Sequence, residues 1–249
     1  MAIARVAGTI AMNTNTSPSV AIPTGTLQNH VILAGIVTWR NGGTAPTMNT
    51  VPSGWNLLSG FPVQHGGNFG TAWGYWKLAT GSDATPTWVL SSSQDWGIVL
   101  DTYSGTSIAN PVAEASGVSA ATSASTVAAP ARNATAIGQL LYVFGGGSVV
   151  SSATHQSGMT ERQETTRSGI WAECITCSDK TLSATGTTGT QTITWNGASQ
   201  SMAGSVLLNE LVVQRLAPDA ILSRQNLTGL VSTIQDDPDA PDANWLTAP

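Results

Sequence analysis

The chain has 249 residues and a formal net charge of −5, and only 9% of its residues are charged, against about 25% in a typical soluble protein. Its nine basic residues are scattered singly, which excludes the Lys/Arg clusters of a nucleic-acid-binding protein. The sequence shows no targeting signal and no apolar run near the ~20 residues of a membrane span. We therefore expect neither nucleic acid nor a membrane as a partner.

Residues 1–212 carry the pattern of many short strands. Apolar residues alternate with period two or form short runs, and nearly every interval holds the Gly, Pro, Asn or Ser that turns require. This pattern predicts an all-β domain, an antiparallel, jelly-roll-like β-sandwich without a convincing amphipathic helix. The predicted strands cover residues 3–12, 30–39, 55–61, 71–80, 85–90, 97–103, 138–144, 159–165, 169–176, 190–195 and 203–212.

Residues 113–136 interrupt this pattern, because they are almost all Ala, Ser, Thr and Val. One interpretation is a boundary between two domains. We favour one domain over 1–212, since neither half has enough strands to bury two faces and residues 138–144 are typical of a central strand. The interrupting stretch is then a long surface connection that contains an edge strand.

The nine tryptophans suit either core packing or a carbohydrate-stacking platform, since each ring buries a large area. Trp73 and Trp76 are the candidate glycan-facing aromatics. They lie three residues apart on one predicted strand, so their side chains point to opposite faces and at most one can belong to a platform. Core packing is the favoured interpretation for the whole set.

The chain has two cysteines, Cys174 and Cys177, in a CxxC pattern. A zinc site needs four ligands, and no second CxxC or HxxxH exists. A redox pair needs a helix N-terminus to lower the thiol pKa, whereas residues 169–178 alternate as a strand, in which side chains three apart point to opposite faces. We expect two free structural thiols, one buried and one less buried, and no metal site.

No catalytic constellation stands out in the sequence. There is no GxSxG elbow and no phosphate-binding loop, and the three histidines stand alone. The acids nearest one another on predicted strands are Glu161, Glu164 and Glu173. Strand parity predicts that Glu161 and Glu164 face opposite sides, unlike the paired carboxylates of a glycosidase. We therefore predict that the protein is not an enzyme and needs no cofactor.

The composition changes after residue 212. From Asp236 to Asp242, four aspartates and two prolines fill seven positions; proline removes backbone donors, and clustered carboxylates repel one another. Residues 213–249 hold five acids and two bases, for a charge of −3, against nine and seven, or −2, in residues 1–212. This segment is predicted to be an extended, largely irregular C-terminal docking arm. The aspartates lack the spacing of an EF-hand calcium loop, so a solvated acidic segment is favoured.

The arm carries isolated large apolar groups rather than one amphipathic face. A few such anchors can dominate the binding of an extended segment, whose backbone can also add to a sheet edge. We expect Trp245 and Leu246 to enter a pocket on a neighbouring protein; the alternative is that the arm folds back on its own sandwich. The predicted partner-binding residues are Ile221, Leu222, Leu227, Asp236, Asp237, Asp239, Asp242, Trp245 and Leu246.

Two parts of the chain resemble proteins of tailed bacteriophages. Residues 51–57, 72–80, 88–93 and 97–105 carry, in order, Pro-x-Gly-Trp, Trp-x-Lys-x-Ala and Tyr-Ser-Gly, which resembles a jelly-roll module of virion proteins and covers roughly residues 1–212. The arm contains Pro-Asp-Ala-Ile-Leu-Ser, Asn-Leu-Thr-Gly and Asp-Pro-Asp-Ala-Pro-Asp-Ala-Asn-Trp-Leu. It is similar to a segment that recurs in phage structural proteins, where it usually opens a further β domain.

The resemblance implies a structural protein of the virion, on the head or tail surface, such as a decoration or minor tail protein. Its partners would be other virion proteins or copies of itself, and it would be assembled into particles in the bacterial host cytoplasm as an oligomer. The alternative is a carbohydrate-binding module that adheres to host or surface glycans. A third and less favoured function is cleavage of glycans.

Overall fold

The structure, a computed structural model, describes residues 1–39, 44–66, 70–120, 124–168 and 172–211. These residues form eighteen β-strands and no helix. The first eight strands are β1 (Ala4–Asn15), β2 (Val31–Trp39), β3 (Met48–Thr50), β4 (Asn56–Leu57), β5 (Val63–Gln64), β6 (Gly70–Leu78), β7 (Val89–Leu90) and β8 (Gln94–Ser104). The other ten are β9 (Val112–Ser119), β10 (Ala124–Ala129), β11 (Asn133–Ala134), β12 (Leu140–Ser148), β13 (Ala153–His155), β14 (Thr160–Arg167), β15 (Glu173–Thr181), β16 (Gly186–Thr187), β17 (Gln191–Ser199) and β18 (Ser201–Leu208).

Two large antiparallel sheets face each other. Sheet A has the strand order β1-β8-β2-β6-β4, with β5 also paired to β6, and sheet B has the order β14-β15-β12-β18-β9. A three-stranded sheet, β10-β17-β13, packs on the outer face of sheet B. The pair β3-β7 packs on the outer face of sheet A, and β11-β16 forms a further pair. The predicted all-β, antiparallel sandwich is confirmed.

Apolar layers lie between the two sheets and outside each of them. Between the sheets, the Phe61 and Phe144 rings stack with their centroids 5.6 Å apart. Trp88 belongs to the layer outside sheet A and Trp195 to the layer outside sheet B. Because each sheet is buried on both faces, β2 is buried along its whole length and reads as a continuous apolar run rather than an alternating one.

The structure differs from the prediction mainly in its short strands. Only two residues of the predicted strand 55–61 are extended and paired, because Gly54 and Gly60 adopt left-handed backbone conformations (φ 81° and 75°) on either side of β4. Glycine reaches this region without a steric penalty. The low-complexity stretch 113–136 contains β9, an edge strand of sheet B as expected, and also β10, which covers that sheet.

The two halves of the chain share one strand order. In sheet A the first strand of the half, β1, forms one edge beside the last strand, β8, and is followed by β2, β6 and β4; in sheet B, β9, β18, β12, β15 and β14 take the same places. Moreover, β1 lies next to β14, and β5 lies next to β9. The halves are therefore arranged as two copies related by an approximate two-fold axis.

The ladder register gives the spacing between the halves. Gly35 of β2 lies opposite Val99 of β8, and Tyr142 of β12 lies opposite Val206 of β18. Both strands of the second ladder therefore follow their counterparts by 107 residues (142 − 35 and 206 − 99). An equal spacing on two separate strands is the signature of an internal repeat.

The covering layers keep the same spacing. In the first half, an isolated antiparallel bridge joins Ser19 to Thr87. In the second half, Thr126 of β10 pairs with Thr194 of β17. Each residue of the second pair again follows its counterpart by 107 residues (126 − 19 and 194 − 87), so the repeat includes the outer layers as well as the facing sheets.

Candidate functional site

An open, mainly apolar cleft of about 450 Å³ lies on the outer face of sheet A. Its floor is formed by Thr71, Trp73 and Tyr75 of β6, which alternate onto the same face of the strand. Trp55 forms a wall, and its ring meets that of Trp88 edge-on with centroids 5.0 Å apart. The cleft is thus built on rings that the core already holds in place.

The candidate glycan-facing residues lie on opposite faces of β6, as strand parity predicts. Trp73 lines the cleft but is only 3% exposed. Trp76 points the other way and packs, half-buried, against the layer between the sheets. Tyr75 and Trp55, the other aromatic residues of the cleft, are 2% and 8% exposed, so the cleft offers ring edges rather than open ring faces.

A buried carboxylate joins the two sheets. Asp101 of β8 is fully buried, and Arg5 of β1 donates to its Oδ1 through Nε and pairs with it through a terminal nitrogen, both at 2.7 Å. From sheet B, the Tyr142 hydroxyl, the Gln163 amide and the Cys177 thiol donate to Oδ2 at 3.0, 3.1 and 3.0 Å. A buried charge with this many partners fastens the sheets together, since removing one partner leaves the others unsatisfied.

A second clasp mirrors the first from the opposite sheet. Asp179 of β15 accepts hydrogen bonds from Arg162 Nε at 2.9 Å and, across the sandwich, from the Tyr103 hydroxyl at 2.8 Å. Burial, followed by the charges of Asp101 and Asp179, raises the pKa of the Tyr103 phenol well above its ordinary value. The phenol therefore stays protonated and acts as a donor.

Both cysteines are free and fully buried. Cys177 faces the layer between the sheets and Cys174 the layer outside sheet B, as their spacing predicts. The expectation that one thiol would be less buried is wrong, because β10-β17-β13 covers the outer face of sheet B. Burial, with smaller contributions from Glu164 and Glu161, raises the pKa of Cys174 to about 12, so this thiol is not a thiolate nucleophile at neutral pH.

Glu161 and Glu164 lie on the same face of sheet B, contrary to the strand-parity prediction. The register shifts between Glu161, which is opposite Ser178, and the next paired residue, so that Glu164 is opposite Thr176. This β-bulge adds one residue and reverses the facing of everything after it. Burial and then the neighbouring Glu164 raise the pKa of Glu161, and Glu164 accepts a hydrogen bond from the Ala153 backbone at 2.8 Å.

A serine–histidine contact that sequence reasoning missed lies nearby. Thr176 donates its hydroxyl hydrogen to the Gln163 carbonyl and therefore accepts from His155 Nε2 at 2.8 Å. Burial lowers the pKa of His155 to about 4, so the neutral ring accepts through Nδ1 from the Ser178 hydroxyl at 2.7 Å. The pair has the geometry of a nucleophile and its base. Ser178 is 0% exposed, however, so this contact fastens β13 to β15.

Glu173 is the most perturbed acid with a stated value. It is only 2% exposed, and burial, then the adjacent Asp95 carboxylate, raises its pKa from 4.5 to about 8. Arg167 opposes this shift, and it forms an ion pair with Asp95 from the facing sheet at 2.5 Å. Glu173 is therefore mostly protonated at neutral pH and shares a polar cluster at the sheet interface.

The predicted docking arm lies outside the described residues, and so do its nine predicted partner-binding residues, Ile221 through Leu246. Within the described ranges, no group of three or more His, Cys, Asp or Glu side chains is placed to hold a metal ion. The same residues contain no helix with the length and apolar character needed to cross a membrane. Comparison of the chain with protein-family models, with curated proteins and with solved structures finds no match.

Proposed function

We propose that this chain is a structural component of a tailed-phage virion, a decoration or minor tail protein that acts by protein–protein assembly without catalysis. It would be incorporated into particles in the host cytoplasm, with other virion proteins or copies of itself as partners. The resemblance of residues 51–105 and of the arm to phage virion proteins motivates the proposal.

The observation that carries it is where the charges lie. Of the six basic residues that the structure describes, four form ion pairs within the sandwich: Arg5, Lys77, Arg162 and Arg167. Interface centres are depleted in charged residues, because an unpaired charge is costly to remove from water. A surface of small neutral residues around an internally clasped sandwich therefore suits close packing against neighbours.

The residues that carry the resemblance build the fold rather than an exposed site. Trp55 and Trp88 belong to the layer outside sheet A, and Tyr103 bridges the two sheets. The Ser104-Gly105 step ends β8, with Gly105 in the left-handed region at φ 74°. This supports a shared module without indicating a catalytic centre.

The test is to locate the protein in purified phage particles by electron microscopy, with mass spectrometry of the same particles. We expect a fixed number of copies at one surface position. Absence of the protein from particles produced by a host that expresses it would overturn the proposal.

The cleft on sheet A gives specific support to the second candidate, a carbohydrate-binding module. It gathers Trp55, Trp73 and Tyr75 in one place, but their faces are nearly buried, which favours a packing role over sugar stacking. Calorimetric titration with soluble glycans separates the two functions, since only the second expects saturable binding that is lost on changing Trp73 to Ala.

A further inference from the structure

The floor of the cleft on sheet A is a position that sheet B fills with its own side chain. Strands β6 and β15 correspond at a spacing of 105 residues, since residues 74 and 179 take equivalent places in the two ladders. Thr71 therefore corresponds to Thr176, and Trp73 to Ser178. In sheet B, the His155 ring lies over this position and contacts both hydroxyls. In sheet A, the same position is the open cleft.

The chemistry of the cleft suits one large apolar side chain. Val51 and Leu57 form its rim and are 38% and 47% exposed, which is unusual for residues of this kind. Pro46 and Pro62 also line it, and no charged residue does. A sugar stacks on an open ring face, whereas ring edges and aliphatic walls of this kind favour insertion of an apolar group.

The arm of this same chain carries a segment with the matching chemistry. Residues 243–249 are uncharged and contain Trp245 and Leu246. The preceding carboxylate, Asp242, lies three residues before Trp245, or roughly 10 Å in an extended chain, so the acidic run stays outside the uncharged cleft. Trp245 lies 34 residues beyond Leu211 (245 − 211), a reach of up to roughly 110 Å, which is enough to span to a neighbouring copy.

We propose that the cleft over sheet A binds the Trp245-Leu246 segment of a second copy of this chain. The inference rests on the proposed assembly function and names both surfaces of its interface. Each copy then has one donor segment and one acceptor cleft, so the contact is heterologous and propagates into a ring or an open chain.

The test uses full-length protein and two variants, Leu57→Arg to block the cleft at its exposed rim and Trp245→Ala to remove the anchor. Sedimentation over a range of concentrations should show self-association of the wild type, weakened about thirtyfold or more in either variant, as expected for loss of a central anchor. An equimolar mixture of the variants retains one intact cleft and one intact segment, so it should form a one-to-one complex and no larger species. Val51→Arg provides a second block should Leu57→Arg misfold.

Ile137→Arg is the matched control, because Ile137 is an apolar residue 64% exposed and outside the cleft; it should associate like the wild type. A synthetic peptide of residues 236–249 should compete, and cellohexaose should not. Wild-type association in Leu57→Arg and Val51→Arg, or competition by cellohexaose alone, would refute the proposal. If these cleft variants still enter particles while Trp245→Ala does not, the segment binds another virion protein, so the cleft inference fails and the proposed function stands.

Discussion

At the scale of single residues, Glu173 links the fold to pH. Its pKa is raised from 4.5 to about 8 by burial and by Asp95, so between these values the folded protein binds more protons than the unfolded chain. The free energy of unfolding should therefore fall as pH rises from about 4.5 to 8 and level off above. Glu173→Gln mimics the protonated acid and should flatten this dependence. Urea unfolding at pH 5 and pH 8 measures it, and a variant with the wild-type slope would contradict the assignment.

Tyr142 is the second residue whose role can be measured. Its hydroxyl donates to the buried Asp101 carboxylate at 3.0 Å, and a hydrogen bond to a charged group contributes roughly 1.5–3 kcal/mol. Tyr142→Phe should lower the free energy of unfolding by about that amount. Tyr103→Phe, which removes the equivalent bond to Asp179, is the matched comparison and should cost about as much. Losses below about 0.5 kcal/mol in both, as for ordinary surface changes, would show that the clasps are not load-sharing contacts between the sheets.

At the scale of elements, the close approach of strands to the Phe144 ring sets the spacing of the sandwich. A Cβ added at Gly204 of β18 would lie 2.4 Å from the Phe61 ring and 2.6 Å from the Phe144 ring. Gly204→Ala should therefore destabilise the protein by about 1–3 kcal/mol through overpacking. At Gly197 of β17 an added Cβ meets nothing closer than 3.8 Å, so Gly197→Ala should be nearly neutral. Equal thermal stability of the two variants would contradict this packing.

Long strands were predictable and local irregularities were not. The apolar runs of β2 and β8 carry enough residues to fix both type and position, whereas two-residue strands such as β5 leave no periodic signal. The bulge beside Glu161 reversed the facing of Glu164, because one extra residue shifts a period-two pattern. The His155–Ser178 contact joins separate strands and has no motif, so no local pattern indicated it.

At the scale of the whole molecule, the two sheets should unfold together. Each sheet covers the inner face of the other, and the Asp101 and Asp179 clasps cross between them. Calorimetry of the sandwich should show one transition with equal calorimetric and van't Hoff enthalpies. Two separated transitions for the sandwich would instead support the two-domain interpretation that the stretch 113–136 left open.

The repeat was visible in the sequence only faintly. Thr87-Trp88 and Thr194-Trp195 lie 107 residues apart, as do Gly97 and Gly204. Such short matches carry little weight until the ladders show that the strands around them take equivalent places. Most other positions differ because the two outer layers are filled differently, with aromatic rings over sheet A and smaller side chains over sheet B.

The shared strand order has a historical consequence. Two halves that face each other about an approximate two-fold axis have the arrangement of a symmetric dimer of half-length chains, which gene duplication and fusion would join into one. The Met1 amino group lies 3.0 Å from the Leu211 carbonyl, so the beginning and end of the repeated region are neighbours and either order of the halves fits the same sandwich. Once fused, the copies were free to diverge, and the position that one copy closed with a histidine became, in the other, an aromatic opening toward the outside.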